Sequence, residues 1–353
     1  MKSGRRSSIA GRHGRALVWQ KRQGASGDWA RRRVLVTGAG GFIGSHLTER
    51  LAALGADVRA LVRYTSNGRA GWLEELPDRN RVEIILGDVR DSNCVHEAMQ
   101  GREVVFHLAA LIGIPYSYRA PQSYVRTNID GTLNVLQAAR DLGTSRVICT
   151  STSEVYGTAQ YVPIDERHPL QGQSPYSATK IAADKLAESY YLSFGLPVSI
   201  ARPFNTFGPR QSARAVIPTI VTQALSGSQI RVGSLHPTRD FNFVADTVEG
   251  FISLAGSRDA VGRVVNFGTG VEVSVREVAA MVGKLLGKKL TLLSEDQRIR
   301  PENSEVERLC GDATQARELL AWAPRVTLEE GLRQTIEWIR ANLSCYRVGS
   351  YAV

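Results

Sequence analysis

Cysteine is scarce in this chain, and what there is does not cluster. Cys94, Cys149, Cys310 and Cys345 show no Cys-x-x-Cys spacing and no accompanying histidine pattern. That argues against a disulfide framework and against a zinc site, and it reads as the reduced thiols of a cytoplasmic protein without a metal. Long apolar runs are missing too: no window approaches ~18 uncharged apolar residues, so no membrane span is expected. Acid is what the start of the chain lacks. Residues 1–33 hold ten basic side chains (Lys2, Arg5, Arg6, Arg12, Arg15, Lys21, Arg22, Arg31, Arg32 and Arg33) against Asp28 alone, which accounts for nine of the net +10. The other 320 residues are therefore near neutral, with no broad basic face of the kind a nucleic-acid partner needs.

Rich in Gly, Ser and Arg and without apolar periodicity, residues 1–31 are expected to be a disordered basic tail, with no apolar segment of a secretory signal. Residues 344–353 carry no usable pattern and are read as a C-terminal tail. Between them, 43% hydrophobic and 22% charged residues over the 353-residue chain suit a globular protein with ample core.

Val34-Leu35-Val36 is a β-branched, apolar run fit for a buried parallel strand. It leads into Thr37-Gly38-Ala39-Gly40-Gly41-Phe42-Ile43-Gly44 and a helical pattern through Leu54. Glycines there let the backbone turn tightly and approach a pyrophosphate at a helix N-terminus. A second strand, Asp57 to Val62, is followed by Arg63, Tyr64, Thr65 and Ser66. An acid commonly stands there to hold the ribose of NAD, whereas a cation accommodates the 2′-phosphate of NADP, so both cofactors are open. Val82–Leu86 is a third strand, ending at Gly87-Asp88-Val89, with Asp88 placed to meet an adenine. Val104–Ala110 is a fourth, whose Leu108, Ala109 and Ala110 leave room for a cofactor. An amphipathic helix from about Tyr124 to Leu142 carries Asn128. Val147–Thr150 is a fifth strand, running into Ser151-Thr152-Ser153-Glu154-Val155-Tyr156-Gly157, and Val198–Ala201 is a sixth. This alternation predicts an α/β fold with a doubly wound parallel sheet, whose ligands lie beyond the carboxyl ends of the strands.

Ser174-Pro175-Tyr176-Ser177-Ala178-Thr179-Lys180 has a plausible N-cap, a proline for the first turn, and a phenol one helical turn from an ammonium. A nearby cation favours phenolate, so the pair is a candidate base. Later arginines (Arg210, Arg214, Arg231, Arg239 and Arg300) are scattered through a loop-richer region, and Val264–Phe267 reads as a returning strand.

Thr37-Gly-x-x-Gly-x-x-Gly44, Asn128, Thr152 and Tyr176-x-x-x-Lys180, in that order, resemble the extended short-chain dehydrogenases/reductases, over roughly residues 33–340. The resemblance implies a Rossmann NAD(P)-binding domain over 32–205, with a mainly substrate-binding region over 206–343 that returns elements to the sheet. It implies a tightly bound, recycled NAD+ or NADP+ held by Gly38, Gly40, Gly41, Phe42, Ile43, Gly44, Arg63, Asp88, Val89, Leu108–Ala110, Asn128, Tyr176, Lys180 and Pro203. By the same resemblance, Tyr176 is the acid/base, Lys180 lowers its pKa and binds the nicotinamide ribose, and Thr152 bonds the reacting hydroxyl.

Glu154 looks like the carboxylate of the sugar-nucleotide 4,6-dehydratases and UDP-glucuronate decarboxylases, where 4-epimerases usually have a small residue. In a dehydratase, a ketone at C4 makes the C5 proton removable, and Glu154 would take it. Ser153 before it resembles GDP-mannose 4,6-dehydratases, which implies that either Glu154 itself shuttles the proton to the leaving group or Ser153 relays it through water. The runs Gly157–Glu166, Gln171–Lys180, Arg202–Pro218 and Arg300–Val306 look like the 4,6-dehydratases of legionaminic-acid-type pathways, which act on nucleotide-activated N-acetylglucosamine. That implies a nucleotide-sugar partner, a diphosphate held by Asn205, Arg239 and Arg300 with Arg214 also binding substrate, and a homodimer. A decarboxylase, with Arg210 or Arg214 cradling a sugar carboxylate, a 4-epimerase, and a non-catalytic dinucleotide- or RNA-binding relative are the alternatives.

Overall fold

The computed structural model describes residues 28–76 and 79–349. Chain order begins β1 Arg33–Thr37, α1 Phe42–Ala53, β2 Asp57–Arg63, β3 Val82–Gly87, α2 Ser92–Met99, β4 Val104–His107, α3 Ile114–Arg119, α4 Pro121–Tyr124, α5 Gly131–Asp141, β5 Arg146–Thr150, α6 Pro175–Phe194 and β6 Val198–Pro203. It continues β7 Asn205–Phe207, α7 Val216–Ser226, β8 Gln229–Val232, β9 Thr238–Phe243, α8 Val244–Gly256, β10 Val264–Phe267, β11 Glu272–Ser274, α9 Val275–Leu286, β12 Thr291–Ser294, α10 Thr314–Leu320 and α11 Leu328–Ala341.

Seven parallel strands form the main sheet in the order β10-β6-β5-β4-β1-β2-β3. Every residue of β4 and β6 is buried, as expected for strands covered by helices on both faces. The order reverses between β1 and β4, which opens the crevice at the strand ends where such folds take ligands. The expected return of Val264–Phe267 is met by β10 beside β6. Beyond the main sheet stand a three-stranded sheet, β11-β9-β7, and the β8–β12 pair. No helix among the described residues is long and apolar enough to cross a membrane.

Several expected boundaries move. The tail read as residues 1–31 does not extend that far: Trp29 is 3% exposed, its ring lies 6.0 Å from that of Phe106, and it belongs to the core with Val34, Val36 and Leu51. One indole outweighs the flanking arginines because it buries a large apolar area. Arg31 N also donates to Gly55 O at 2.8 Å; residues 1–27 lie outside the described ones. A chain starting after Ala30 should lose ~3–5 kcal/mol relative to one starting at Asp28, read as a fall in thermal midpoint. Equal midpoints would show that Trp29 contributes nothing.

The C-terminal segment docks as well, with Tyr346 donating its hydroxyl to Gln211 O at 3.0 Å and stacking edge-on against Trp338; residues 350–353 lie outside the described ones. β4 stops at His107, so Leu108–Ala110 are loop. The single helix expected over Tyr124–Leu142 is α4 and α5 joined by a π-helical turn at Val125–Asp130. That turn carries Asn128, and such insertions favour functional positions because they re-aim a side chain.

Two buried histidines give the fold an acid limit. His107 Nδ1 pairs with Thr37 Oγ1 at 2.9 Å and Nε2 with Thr132 Oγ1 at 3.0 Å. His46 Nε2 pairs with Pro209 O at 3.0 Å. Burial first, then the charges of Lys180 and Arg210 respectively, hold each down to about 3 from the ordinary 6.5. Unfolding frees both to take protons, so the stabilisation is complete above pH 6.5 and declines as pH falls toward 3. At pH 5 the two should cost ~4 kcal/mol together. Denaturant midpoints at pH 7 and 5 test this, and His107→Gln should reduce the difference. An unchanged pH dependence in that variant would refute the assignment.

Candidate active site

Three chain segments meet beyond the carboxyl ends of β1, β4 and β5. The first is the glycine turn. Gly38 has φ +68°, and a Cβ there would lie 2.8 Å from Ala109 N, so only glycine lets the turn pack on the Leu108–Ala110 loop. Thr37 Oγ1 fixes that loop by accepting from Leu108 N and Ala109 N at 3.2 and 3.1 Å. At Gly44 a Cβ would lie 2.3 Å from Gly38 O, which closes the turn onto α1. Gly41 differs: its Cβ position meets only Gly38 O at 3.3 Å, leaving its other side open. No side chain caps the N-terminus of α1, so its first amides remain available to an anion. This cradle fits the pyrophosphate of a dinucleotide.

The second segment is the start of α6. Ser174 and Ser177 form a reciprocal capping box, Pro175 opens the first turn, and Gly195 at φ +65° ends the helix. The helix begins where its sequence signals put it, and it buries Tyr176 and Lys180 one turn apart. Asn128 is the brace between this helix and the β4 loop. Its side chain accepts from Leu111 N at 2.8 Å and donates to Leu111 O and Thr179 Oγ1, both at 3.0 Å. The Tyr176 ring stands edge-on to Tyr124 at 6.2 Å.

The expected effect of Lys180 on Tyr176 is not what this form of the protein shows. Burial pushes the phenol up, the Thr152 hydroxyl acts in the opposite direction, and the Glu154 charge adds to the rise. Lys180 Nζ instead donates to Thr150 O at 2.5 Å. Burial pulls its ammonium down, partly offset by Asp184. Tyr176 is accordingly protonated here, and the Thr150 hydroxyl beside this pair is buried without a hydrogen-bond partner among the described residues.

The third segment is the turn after β5. Thr152 caps it by accepting from Glu154 N at 3.3 Å, and Ser153 and Glu154 are buried within it. Glu154 faces two arginines: Oε1 is 3.8 Å from Arg239 Nε and Oε2 is 3.9 Å from Arg300 Nη1. Both guanidiniums approach Glu305 more closely, at 3.3 Å. Two carboxylates and two guanidiniums balance in charge, which makes their shared burial tolerable. Burial pulls Arg239 down and Glu154 pulls it back.

The stretch carrying Arg300 and Glu305 is fastened to the loop before α6. Ser304 Oγ donates to Gln173 O at 2.5 Å and pairs with Tyr118 OH at 2.6 Å, while Gln173 Nε2 donates to Asn303 O and Glu305 O.

Other expected site residues fare differently. Asn205, on β7, has a buried Oδ1 with no hydrogen-bond partner among the described residues, which leaves it free to accept from a donor on a ligand. Pro203 ends β6, buried, and Val89 is buried beside Gly131. Arg214 is exposed, and its charge reaches Tyr124. Asp88 is held by Arg90 at 2.5 Å, so its carboxylate is already engaged. Arg210, one of two candidates for a sugar-carboxylate cradle, is withdrawn into a buried pair with Glu49 at 2.8 Å. Glu305 and Asp184 were missed by sequence reasoning. Asp184 accepts from Ser151 Oγ at 2.6 Å and Arg202 Nη2 at 2.8 Å, bracing the β5 turn against α6. Its one signal is its position four residues after Lys180, on the same helix face.

Sheet order, glycine turn and the Tyr176–Lys180 helix together define a Rossmann-fold protein of the short-chain dehydrogenase/reductase class, in its NAD-dependent epimerase/dehydratase branch. More narrowly, the chain belongs to the GDP-mannose 4,6 dehydratase family, whose model matches residues 35–335. It is 36% identical over 323 residues to a UDP-N-acetyl-alpha-D-glucosaminuronate decarboxylase of Bacillus cytotoxicus, spanning 88% of this chain and 98% of that protein. It is also 36% identical over 314 residues to a UDP-glucose 4-epimerase of Mycolicibacterium smegmatis, spanning 87% and 98%. A dTDP-glucose 4,6-dehydratase of Streptomyces venezuelae, solved with NAD and TYD bound, superposes with a TM-score of 0.82 at 30% identity, covering 89% of this chain and 99% of the other. These relatives catalyse three different reactions, so the choice among them rests on side chains.

Proposed function

We propose that this protein is a nucleotide-sugar 4,6-dehydratase, with UDP- or GDP-N-acetylglucosamine as the favoured substrate class. The observation that carries the reading is Glu154, a carboxylate buried at the end of β5 and close enough to charge-couple to Tyr176. A 4-epimerase has no use for such a base, because it removes no carbon-bound proton at C5.

Gly38, Gly41 and the α1 N-terminus would hold NAD+ or NADP+ at its pyrophosphate, with Asn128, Tyr176 and Lys180 toward the nicotinamide end. When bound, that cofactor supplies the hydride acceptor for C4 and the donor for C6. Once deprotonated, Tyr176 would receive the proton of the C4 hydroxyl, with Thr152 aligning that hydroxyl. Glu154 takes the C5 proton once C4 is a ketone, and the C6 hydroxyl leaves as water. The proton that Glu154 takes from C5 would pass to the leaving hydroxyl, either from Glu154 itself or relayed through water by Ser153. Asn205, Arg214, Arg239 and Arg300 would hold the diphosphate, for which forked guanidiniums are well shaped. Arg239 and Arg300 must then exchange Glu305 for phosphate oxygens.

A second reading is favoured by the same arginines. A guanidinium pair flanking Glu154 also suits a sugar C6 carboxylate, and the Bacillus cytotoxicus relative is a decarboxylase. Incubating the purified protein with UDP-GlcNAc, GDP-GlcNAc, GDP-mannose and UDP-glucuronate, and weighing the products, separates the two. Loss of water supports the dehydratase; loss of carbon dioxide, or no change of mass, overturns it.

We also propose a homodimer through α5 and α6, which leave Leu133 39% and Leu192 72% exposed. Light scattering should give twice the chain mass, and a monomer at micromolar concentration would refute it.

A further inference from the structure

A contact made near the end of the chain closes a ring of contacts around the glycine turn. We infer that Leu343–Tyr346 is a strap across that ring, fastened by Tyr346, and that this joint must part before a bound dinucleotide leaves. This rests on the dinucleotide reading of the glycine turn.

The ring runs contact by contact. Trp72 N donates to Gly40 O at 3.1 Å, and a Cβ on Gly71 would lie 2.4 Å from the same oxygen. A Cβ on Gly40 would in turn lie 2.6 Å from Ala70 O, so the glycine turn and residues 70–72 meet backbone to backbone. The Trp72 ring stands edge-on to Trp338 of α11, with centroids 5.3 Å apart, and Trp338 stands edge-on to Tyr346 at 6.2 Å. The Tyr346 hydroxyl then reaches across to Gln211 O at 3.0 Å. Residues 209–211 complete the ring on α1, the helix that follows the glycine turn. Arg210 Nη2 pairs with Glu49 there at 2.8 Å, and Pro209 O lies 3.0 Å from His46 Nε2. Gly44, packed on Gly38 O, joins α1 back to the turn.

The joints of this ring are unequal. The Arg210–Glu49 pair is buried, its side chains 6 and 12% exposed, and the contacts at Gly40 are backbone. Arg210 also sits at φ +67°, a left-handed conformation that a non-glycine residue keeps only where its surroundings impose it. The Tyr346 joint is one hydroxyl and one ring edge on a half-buried side chain, with Ser344, Cys345 and Arg347 exposed around it. Segments with few buried contacts are the ones that open first. Once this joint parts, residues 70–72 and 209–211 are no longer tied to each other, and the turn can move off a pyrophosphate. The proposed reaction takes a hydride from C4 and returns it to C6 of the same sugar. Exchange of the dinucleotide between turnovers serves nothing in that scheme, and a fastening that retains it fits the chemistry.

The test measures release of a bound dinucleotide from the full-length protein. The purified chain is loaded with NADH, and in parallel with NADPH, freed of excess by gel filtration, and chased with the oxidised form. The decay of bound-nicotinamide fluorescence gives the rate of release. Tyr346→Phe keeps the ring on Trp338 and loses the bond to Gln211, which should speed release ~5-fold. Tyr346→Ala, and a chain ending at Asn342, also lose the ring contact and should speed it ~20-fold. Leu320→Ala, at a core residue of α10 outside the ring, is the control: its thermal midpoint should fall while release stays at the wild-type rate. Release from Tyr346→Ala at the wild-type rate, or equal acceleration in Leu320→Ala, overturns the strap. Retention of neither nucleotide by wild type would instead bring down the dinucleotide reading, and this inference with it.

Discussion

Tyr176→Phe should lower turnover by ~10²–10⁴-fold while the fold persists. The argument starts from what the hydroxyl does and does not hold up. The ring is buried and packs edge-on to Tyr124 at 6.2 Å, and phenylalanine fills that space equally well. Among the described residues the oxygen's hydrogen-bond partner is Thr152, so losing it removes about 1 kcal/mol of hydrogen bonding at most. Oxidation at C4 has no other proton acceptor on α6: Lys180 is committed to Thr150 O, and as an ammonium it accepts nothing. The variant should melt with wild type and retain the same dinucleotide. More than a few per cent of wild-type turnover would disprove the proton assignment. A collapse of melting temperature would instead mean that the hydroxyl is structural.

The raised Tyr176 pKa gives a further reading of the same variant. Burial holds the phenol protonated in the form described, so wild-type activity should climb with pH on the alkaline side while the residual activity of Tyr176→Phe stays flat. A sloping residual would assign that limb to another group.

Local signals carried much of this fold and fell silent where distance took over. α6 was legible because its start and stop are written in neighbours: Ser174 and Ser177 cap, Pro175 opens and Gly195 closes. The buried strands were legible because β-branched runs alternate with helical periods. The π turn at Val125–Asp130 was not, since a single inserted residue leaves the apolar pattern almost unchanged. Trp29 was hidden by the arginines around it, although its ring contacts Phe106, 77 positions away in the chain. Arg210 and Arg300 look alike in sequence. One is buried against Glu49, and the other is delivered to Glu154 by a stretch that Ser304 and Gln173 fasten down. Glu305 was missed for the same reason. Only the folded chain sets it across two arginines from a carboxylate 151 residues earlier.

Glu154→Gln should separate the two halves of the proposed reaction. The substitution keeps the shape of the side chain and removes its basicity. Its structural cost is small: the contacts to Arg239 and Arg300 are 3.8 and 3.9 Å, outside hydrogen-bond range, and both arginines keep Glu305 at 3.3 Å. Removing one negative charge leaves this buried cluster formally at +1, so affinity for an anionic nucleotide sugar should hold or rise. Tyr176, Lys180 and Thr152 are untouched, and oxidation at C4 should still occur, visible as reduced-nicotinamide absorbance when substrate is added. Proton removal at C5 should then stall, with dehydrated product falling ~10²–10⁴-fold, as expected for loss of a general base. Reduced nicotinamide should therefore accumulate in the variant where wild type shows only a transient. In deuterated water the variant should leave the C5 proton in place. Exchange at the wild-type rate would remove Glu154 from the role of base, and with it the observation on which the dehydratase proposal stands. Loss of both absorbance and product would mean that Glu154 acts earlier, by setting the arginines that receive the substrate, and a matching rise in KM would locate the effect there.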